Sequence, residues 1–339
     1  MATMTKSPAP ARPLLARLLG SAALLFLLVF PAIASDYEVG LLGKFLVFGI
    51  FALSLDLIWG FSGVVNFGHA IFFGAGAYAM GILLKALPFA GATYIAALGG
   101  VLFPALLALG MGYLLFYGRV SGVFFGVVTL ALTGAVHSII IVNGNLTGGM
   151  NGLYGYPTPT LGIPGVWEIN WYEANVSYYT AVAGSVGCLA LSRWLVKSDF
   201  GRALGAIREN EDRAAFLGYD VPQIKLIIFT IACAMAGLSG VLYVPIGFIS
   251  PDLIGVTMSA SVLVWVAVGG RGTLIGAFIG ALLVNYLQTL LSDAFVVLWL
   301  LLVGLFFILV VLFWPGGIVG LARHEWLRVR LQRLGLVAR

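Results

Sequence analysis

The sequence predicts an all-α polytopic membrane protein of about ten transmembrane helices, and three observations carry that prediction. Hydrophobic residues fill 61% of the 339 positions and charged residues only 9%, against roughly 25% charged in a soluble domain. The apolar residues fall in runs of about 20, the length at which a helix crosses roughly 30 Å of hydrocarbon. Lysine and arginine keep to the ends of those runs and to alternate connecting segments. A soluble core stops growing at about 250 to 300 residues, so this apolar content needs lipid as a second solvent.

The ten runs are 14–34, 41–60, 68–86, 91–117, 121–143, 177–196, 224–247, 256–270, 273–292 and 294–314, the eighth being short. They are continuously apolar and lack the in/out alternation of barrel strands. Forty-five glycines suit helices that approach closely in lipid, where apolar side chains supply no drive to associate.

Of the 18 lysines and arginines, all but Lys44 and Lys85 fall on the cytoplasmic side when both termini are placed there. The long segment 144–176 carries no lysine or arginine and becomes an outer loop. The organisation expected is a cytoplasmic tail 1–13, a membrane domain 14–320 with a cytoplasmic loop 197–225, and a basic cytoplasmic tail 321–339. Two readings stand for the N-terminus. Three basic residues, an apolar run and Ala32-Ile33-Ala34 imitate a cleavable signal peptide, whereas the stretch from Leu14 is long enough to be a span.

The formal charge of +5 sits in short connections and termini, which marks topology and not a nucleic-acid face. Cys188 and Cys233 lie in apolar runs without metal-ligand spacing, so neither a disulfide framework nor a metal site is expected. No GxxxxGK[ST], HExxH or GxSxG pattern occurs, so no enzyme activity or cofactor is expected and energy must come from another protein.

Three segments carry the remaining chemistry. The loop 197–225 is the long charged segment between two spans, with Arg202, Arg208 and Arg213 interleaved among Asp199, Glu209, Glu211 and Asp212. Leu204, Ile207, Ala214, Ala215 and Leu217 form the apolar side of a helix near 201–218 that Gly218 closes. Such a helix either docks in a cytoplasmic partner and couples it to the bundle, or lies at the lipid boundary; its near-neutral charge favours docking. The coupling candidates are Gly201, Arg202, Arg208, Glu211, Ala214, Ala215 and Gly218.

Between residues 60 and 70, Gly60, Ser62, Gly63, Asn66, Gly68 and His69 interrupt the apolar pattern, and a broken or re-entrant segment is expected. Backbone that leaves the helix at membrane depth survives only when buried in protein or lining a polar cavity. Asp56, Ser62, Asn66 and His69 are therefore candidates for a solute path. For Asp56 a local cap or pairing near the cytoplasmic end of its helix is an equal alternative, and for His69 a hydrogen-bonded packing role outweighs proton carriage. The third segment spaces Gly272, Gly276 and Gly280 four apart, one helix face for close packing, with Arg271 as a topology anchor. The outer cluster Asn145 to Gly155 either shapes the mouth of a path or is a plain loop.

The strings "GFSGVVNFGHAIFFGAGAYA" and "FGRALGAIRENEDRAAFLGYDVPQIKLIIFTIACAMAGLSGVLY" resemble the permeases of branched-chain amino acid and urea ABC importers, over residues 40 to 320 or so. Asp212-Arg213-Ala214 stands where the coupling motif of importer permeases typically reads Glu-Ala-Ala, so the match there is partial. "WVAVGGRGTLIGAFIGALLVNY" and "FWPGGIVGL" are closer to the urea permease type. The resemblance implies a bacterial inner-membrane permease subunit, working with a second homologous permease, two cytoplasmic ATP-binding subunits and a periplasmic solute-binding protein. It points to urea as the solute, with a branched-chain amino acid as the alternative. A secondary transporter or passive channel fits less well: intramembrane ionisable residues are sparse, and a channel leaves loop 197–225 unexplained.

Overall fold

A computed structural model describes residues 12–87, 89, 91–163, 166–294, 304–305, 308 and 317–318. Helix α1 (Arg12–Val29) leads through a short 3-10 turn to α2 (Asp36–Ser62). Ser35 starts α2 with a capping box, in which Ser35 and Glu38 each accept the other's backbone N–H. The 27 residues of α2 rise about 40 Å, enough to cross a bilayer. Its end is set by Gly63, whose φ of 80° is the left-handed conformation that stops a helix.

Residues 63–68 join α2 to α3 (His69–Ala86), which is followed by α4 (Ala92–Tyr117) and α5 (Gly122–Val142). The segment after α5 holds one turn of helix, α6 (Gly144–Thr147), and a two-stranded antiparallel hairpin of β1 (Thr160–Ile163) and β2 (Trp167–Asn170). Next come α7 (Ala174–Lys197), α8 (Asp199–Glu209), α9 (Glu211–Phe216) and α10 (Val221–Tyr243). A 3-10 turn at Pro251–Ile254 precedes α11 (Val256–Gly269), and α12 (Ile275–Ala294) follows.

Among the described residues seven helices are long and apolar enough to cross a membrane: α2, α3, α4, α5, α7, α10 and Ile275–Ser292 of α12. Seven of the ten expected runs are therefore seen as membrane-length helices among the described residues. The run 256–270 forms a helix of only 14 residues because Gly255 and Gly270 bound it, the first run counts only as the shorter apolar helix Gly20–Ala32, and the run 294–314 lies outside the described residues apart from isolated positions. The tails 1–13 and 321–339 fall almost wholly outside them.

Helix α2 is the centre of the bundle, packing against α7, α10, α11 and α12, while α10 packs against α3 and α4. Its middle is buried on all sides, with Leu46, Ile50, Phe51, Leu53, Leu55 and Leu57 fully enclosed. Where α3, α4 and α10 cross, glycines allow backbone contact: a Cβ at Gly76 would strike the Gly237 carbonyl, and one at Gly237 would meet Pro104 of α4. By contrast α4 and α5 keep large apolar side chains exposed along most of their length.

Candidate functional site

A cavity of about 860 Å³ opens at the end of the bundle where α2 begins. Lys44 and Phe48 of α2, Tyr243 at the end of α10, Asp252 in the 3-10 turn, Trp265 of α11, and Asn285 and Gln288 of α12 line it, together with Gly134 and His137 of α5. Phe48 is its aromatic floor, with ring centroids 5.1 Å from Trp265 and 5.7 Å from Tyr243. The Lys44 ammonium lies 5.8 Å from the Phe48 ring centre. The cavity thus offers one cation, one carboxylate, amide and hydroxyl groups, and an apolar wall.

None of the four path candidates lines it. His69 lies one aromatic layer beneath the floor, stacked on Phe51 at 5.3 Å, and Phe51 in turn meets Trp265 edge-on at 6.4 Å. Its ring nitrogens are both engaged, Nε2 with Ser54 Oγ at 2.7 Å and Nδ1 with Asn66 Nδ2 at 3.3 Å. Because the Ser54 hydroxyl donates to the Phe51 carbonyl, it accepts from Nε2, which leaves Nδ1 to accept from Asn66. Asn66 Oδ1 accepts the Gly68 N–H at 2.9 Å, and the Ser62 hydroxyl donates to the Ile58 carbonyl. Asn66 thus satisfies one backbone N–H of the 63–68 connector, as buried irregular backbone requires.

That connector is partly buried, with Asn66 and Gly68 enclosed and Gly63 and Phe67 exposed. Phe67 N–H donates to Thr129 Oγ1 at 3.2 Å, about 10 Å along α5 from its start. A second cavity, of about 690 Å³, is lined by Gly63 to Val65 and Phe67, by Val123, Val127 and Leu130 of α5, and by Glu211 and Lys225. Val127, Leu130, Gly134 and His137 are spaced three, four and three apart, so one face of α5 runs from this second cavity to the first. Phe67 lines the smaller cavity beside that face.

Asp56 has a different place. It is fully buried in the last two turns of α2, where its carboxylate accepts the N–H groups of Gly272 at 2.6 Å and Leu274 at 2.9 Å. It therefore caps the turn before α12, about 12 Å along α2 from Phe48 and away from both cavities. Gly272 lies in that turn with φ 76°, and not on the helix face with Gly276 and Gly280 as its spacing suggested. Gly276 and Gly280 do face α11, where a Cβ at Gly280 would strike the Trp265 carbonyl. Arg271 stacks its guanidinium over Trp59, 5.5 Å from the ring centre.

The segment 199–216 is two helices, correcting the single helix expected over 201–218. Asn210 adopts an extended conformation that ends α8 and caps α9, its side chain accepting the Arg213 N–H. Ala203, Leu204 and Ile207 of α8 and Ala214 of α9 are buried against the bundle, while Ala215 and Leu217 face outward with Phe216, which is 92% exposed. Gly218, with φ 91°, closes α9 as expected, and Tyr219 N–H returns to the Ala214 carbonyl. Gly201 turns the chain tightly against Val196, and Arg202 pairs with Asp199 at the surface. Two ties run inward: Arg208 donates to the Gly60 carbonyl of α2, and Glu211 pairs with Lys225 of α10. Among the described residues no cluster of three or more histidines, cysteines, aspartates or glutamates is placed to hold a metal ion.

The sequence reading missed Lys44, Asp252, Trp265 and Asn285. Lys44 had a signal, since it is one of two basic residues left outside by the charge rule, but the others stand in ordinary apolar or turn contexts.

Residues 38–311 match the family described as the branched-chain amino acid transport system permease component. Over 333 aligned residues the chain is 28% identical to the high-affinity branched-chain amino acid transport system permease protein LivM of Salmonella typhimurium, covering 90% of this chain and 75% of the relative. Against LivM of Escherichia coli the identity is 29% with the same coverage. LivH of Escherichia coli is 27% identical over 290 residues, covering 80% and 91%. No solved structure gives a significant match. The match over most of the chain, on a bundle of membrane-length helices, establishes that this protein belongs to the branched-chain amino acid transport system permease family.

Proposed function

We propose that this chain forms one side of the solute path of an ATP-driven importer and that its solute is a branched-chain amino acid. The observation that carries the choice of solute is the cavity wall, where Lys44 and Asp252 supply opposite charges beside Phe48, Trp265 and Tyr243. A zwitterion with an aliphatic side chain uses all three kinds of group: a cation for its carboxylate, a carboxylate for its ammonium and an apolar face for its side chain. Urea is uncharged and small, and uses neither charge. The named relatives are amino acid permeases, so the urea expectation gives way to the alternative.

In this reading both termini are cytoplasmic, the larger cavity faces outward to receive solute from a periplasmic binding protein, and the exposed face of α5 meets a second, homologous permease. Helices α8 and α9 face two ATP-binding subunits, with Phe216 and Leu217 as the apolar contact. Closure of those subunits moves α8, and the path past Phe67 switches between the two cavities.

The test is uptake of labelled leucine against labelled urea by the complete complex in liposomes, with the Lys44→Met variant alongside. Leucine uptake that falls about tenfold in Lys44→Met supports the reading. Urea uptake with no leucine uptake overturns the solute.

A further inference from the structure

We infer that the β1–β2 hairpin is an interfacial lipid anchor, with Ile163, Val166 and Trp167 seated at the bilayer boundary on the side where α4 begins. The argument starts with α4, which carries no charged residue. Tyr94, Leu98, Leu102, Leu106, Leu109 and Tyr113 follow at intervals of four, four, four, three and four, which places them on one face, and all six are exposed. From Tyr94 to Tyr113 the helix rises about 28 Å, close to the hydrocarbon thickness of about 30 Å. A leucine stripe of that length closed by a tyrosine at each end fits a lipid-facing surface with an aromatic residue at each boundary.

The hairpin is fixed at the Tyr94 boundary. The Tyr94 hydroxyl donates to the Gly162 carbonyl and accepts the Gly162 N–H, each at 2.7 Å, and Thr160 N–H donates to Thr93 Oγ1 at 3.0 Å. The strands pair Leu161 with Ile169 and Ile163 with Trp167, so period-two alternation puts these four apolar residues on one face and Thr160, Glu168 and Asn170 on the other. Leu161 packs against the core, whereas Ile163, Val166 and Trp167 are 63%, 80% and 59% exposed. One end of the apolar face is thus covered by the bundle, and the other overhangs at the depth where α4 leaves the hydrocarbon. An amphipathic edge ending in tryptophan, without lysine or arginine, at that depth fits the headgroup and acyl boundary of the bilayer.

The experiment is nitroxide labelling of Val166→Cys in the full chain assembled with its partners in liposomes, with Cys188 and Cys233 replaced by alanine. Labels at Leu98→Cys and Asn145→Cys serve as lipid and water references, and Ile163→Cys is a second reporter should Val166→Cys fold poorly. Collision with oxygen at the Leu98 level, and with an aqueous nickel chelate several-fold below the Asn145 level, is the expected result. A label as open to nickel as Asn145 overturns the proposal. So does a label shielded from both reagents, or one shielded only when the solute-binding protein is added, since either identifies the hairpin as a protein contact. The outcome is independent of which solute is carried.

Discussion

The Asp56 carboxylate receives the backbone N–H of Gly272 at 2.6 Å, and in doing so ties the end of α2 to the turn that launches α12. A second N–H, from Leu274, reaches the other oxygen at 2.9 Å. Removing the acceptor leaves two donors in a buried site, at about 1–3 kcal/mol for each donor abandoned. Asp56→Ala is expected to lower the thermal midpoint of the detergent-solubilised complex clearly, and Asp56→Asn by less, since its amide oxygen keeps one bond. An Asp56→Ala protein that melts with the parent would show that the cap contributes nothing.

Arg208 reaches the same end of α2, donating to the Gly60 carbonyl from α8. In the proposed function this bond would carry motion of α8 to the helix whose other half holds Lys44 and Phe48. Arg208→Ala is expected to cut solute-stimulated ATP hydrolysis about five- to tenfold, the range of a modest coupling free energy, while basal hydrolysis and membrane insertion stay at parental levels. Arg208→Lys recovers only part of the loss, because a point charge replaces a planar donor fork. Full stimulation in Arg208→Ala would remove this contact from the coupling route.

Most of the helices were legible because their causes are local: apolar runs, and breaks near Gly63 and at Gly218. Asp56, Asn66 and His69 were also legible as polar residues that needed a reason, but the partners of Asp56 and His69 were not, since Gly272 and Ser54 meet them only through tertiary packing. The four-residue spacing of Gly272, Gly276 and Gly280 misled for a related reason. A period says which residues share a face if a helix is present, and the left-handed turn at Gly272 ends that condition. The hairpin escaped notice because "TLGI" and "WEIN" are strands of four residues, too short for alternation to stand out. The cavity was hidden because its polar residues are spread over six elements far apart in the chain.

Glycine roles separate cleanly. A Cβ at Gly280 would strike the Trp265 carbonyl and approach the Gly269 backbone, whereas one at Gly110 or Gly187 meets nothing within 4 Å. Gly280→Ala is expected to cost about 1–3 kcal/mol through overpacking of α11 on α12. Gly110→Ala and Gly187→Ala, in helix interiors, are neutral or stabilising by up to about 1 kcal/mol. Thermal midpoints of the three variants check this, and a Gly280→Ala midpoint equal to the other two would refute the packing assignment.

The Glu211–Lys225 pair allows a sharper test of α9, because one partner is nearly enclosed and the other half-exposed. Lys225 emerges from the first turn of α10 beside the smaller cavity, and Glu211 is the first residue of α9. Glu211→Lys sets two cations together and strips the enclosed ammonium of its counter-charge. Breaking a fully buried pair costs about 3–5 kcal/mol; with Glu211 partly in water, about 1–2 kcal/mol is expected here. That loss frees α9 from α10, so transport-coupled ATP hydrolysis falls while the protein still inserts. The reversed pair, Glu211→Lys with Lys225→Glu, restores the attraction and recovers most of the coupling. If the double variant is no better than Glu211→Lys alone, the role of Glu211 lies in a contact with the ATP-binding subunit and not in holding α9 against the bundle.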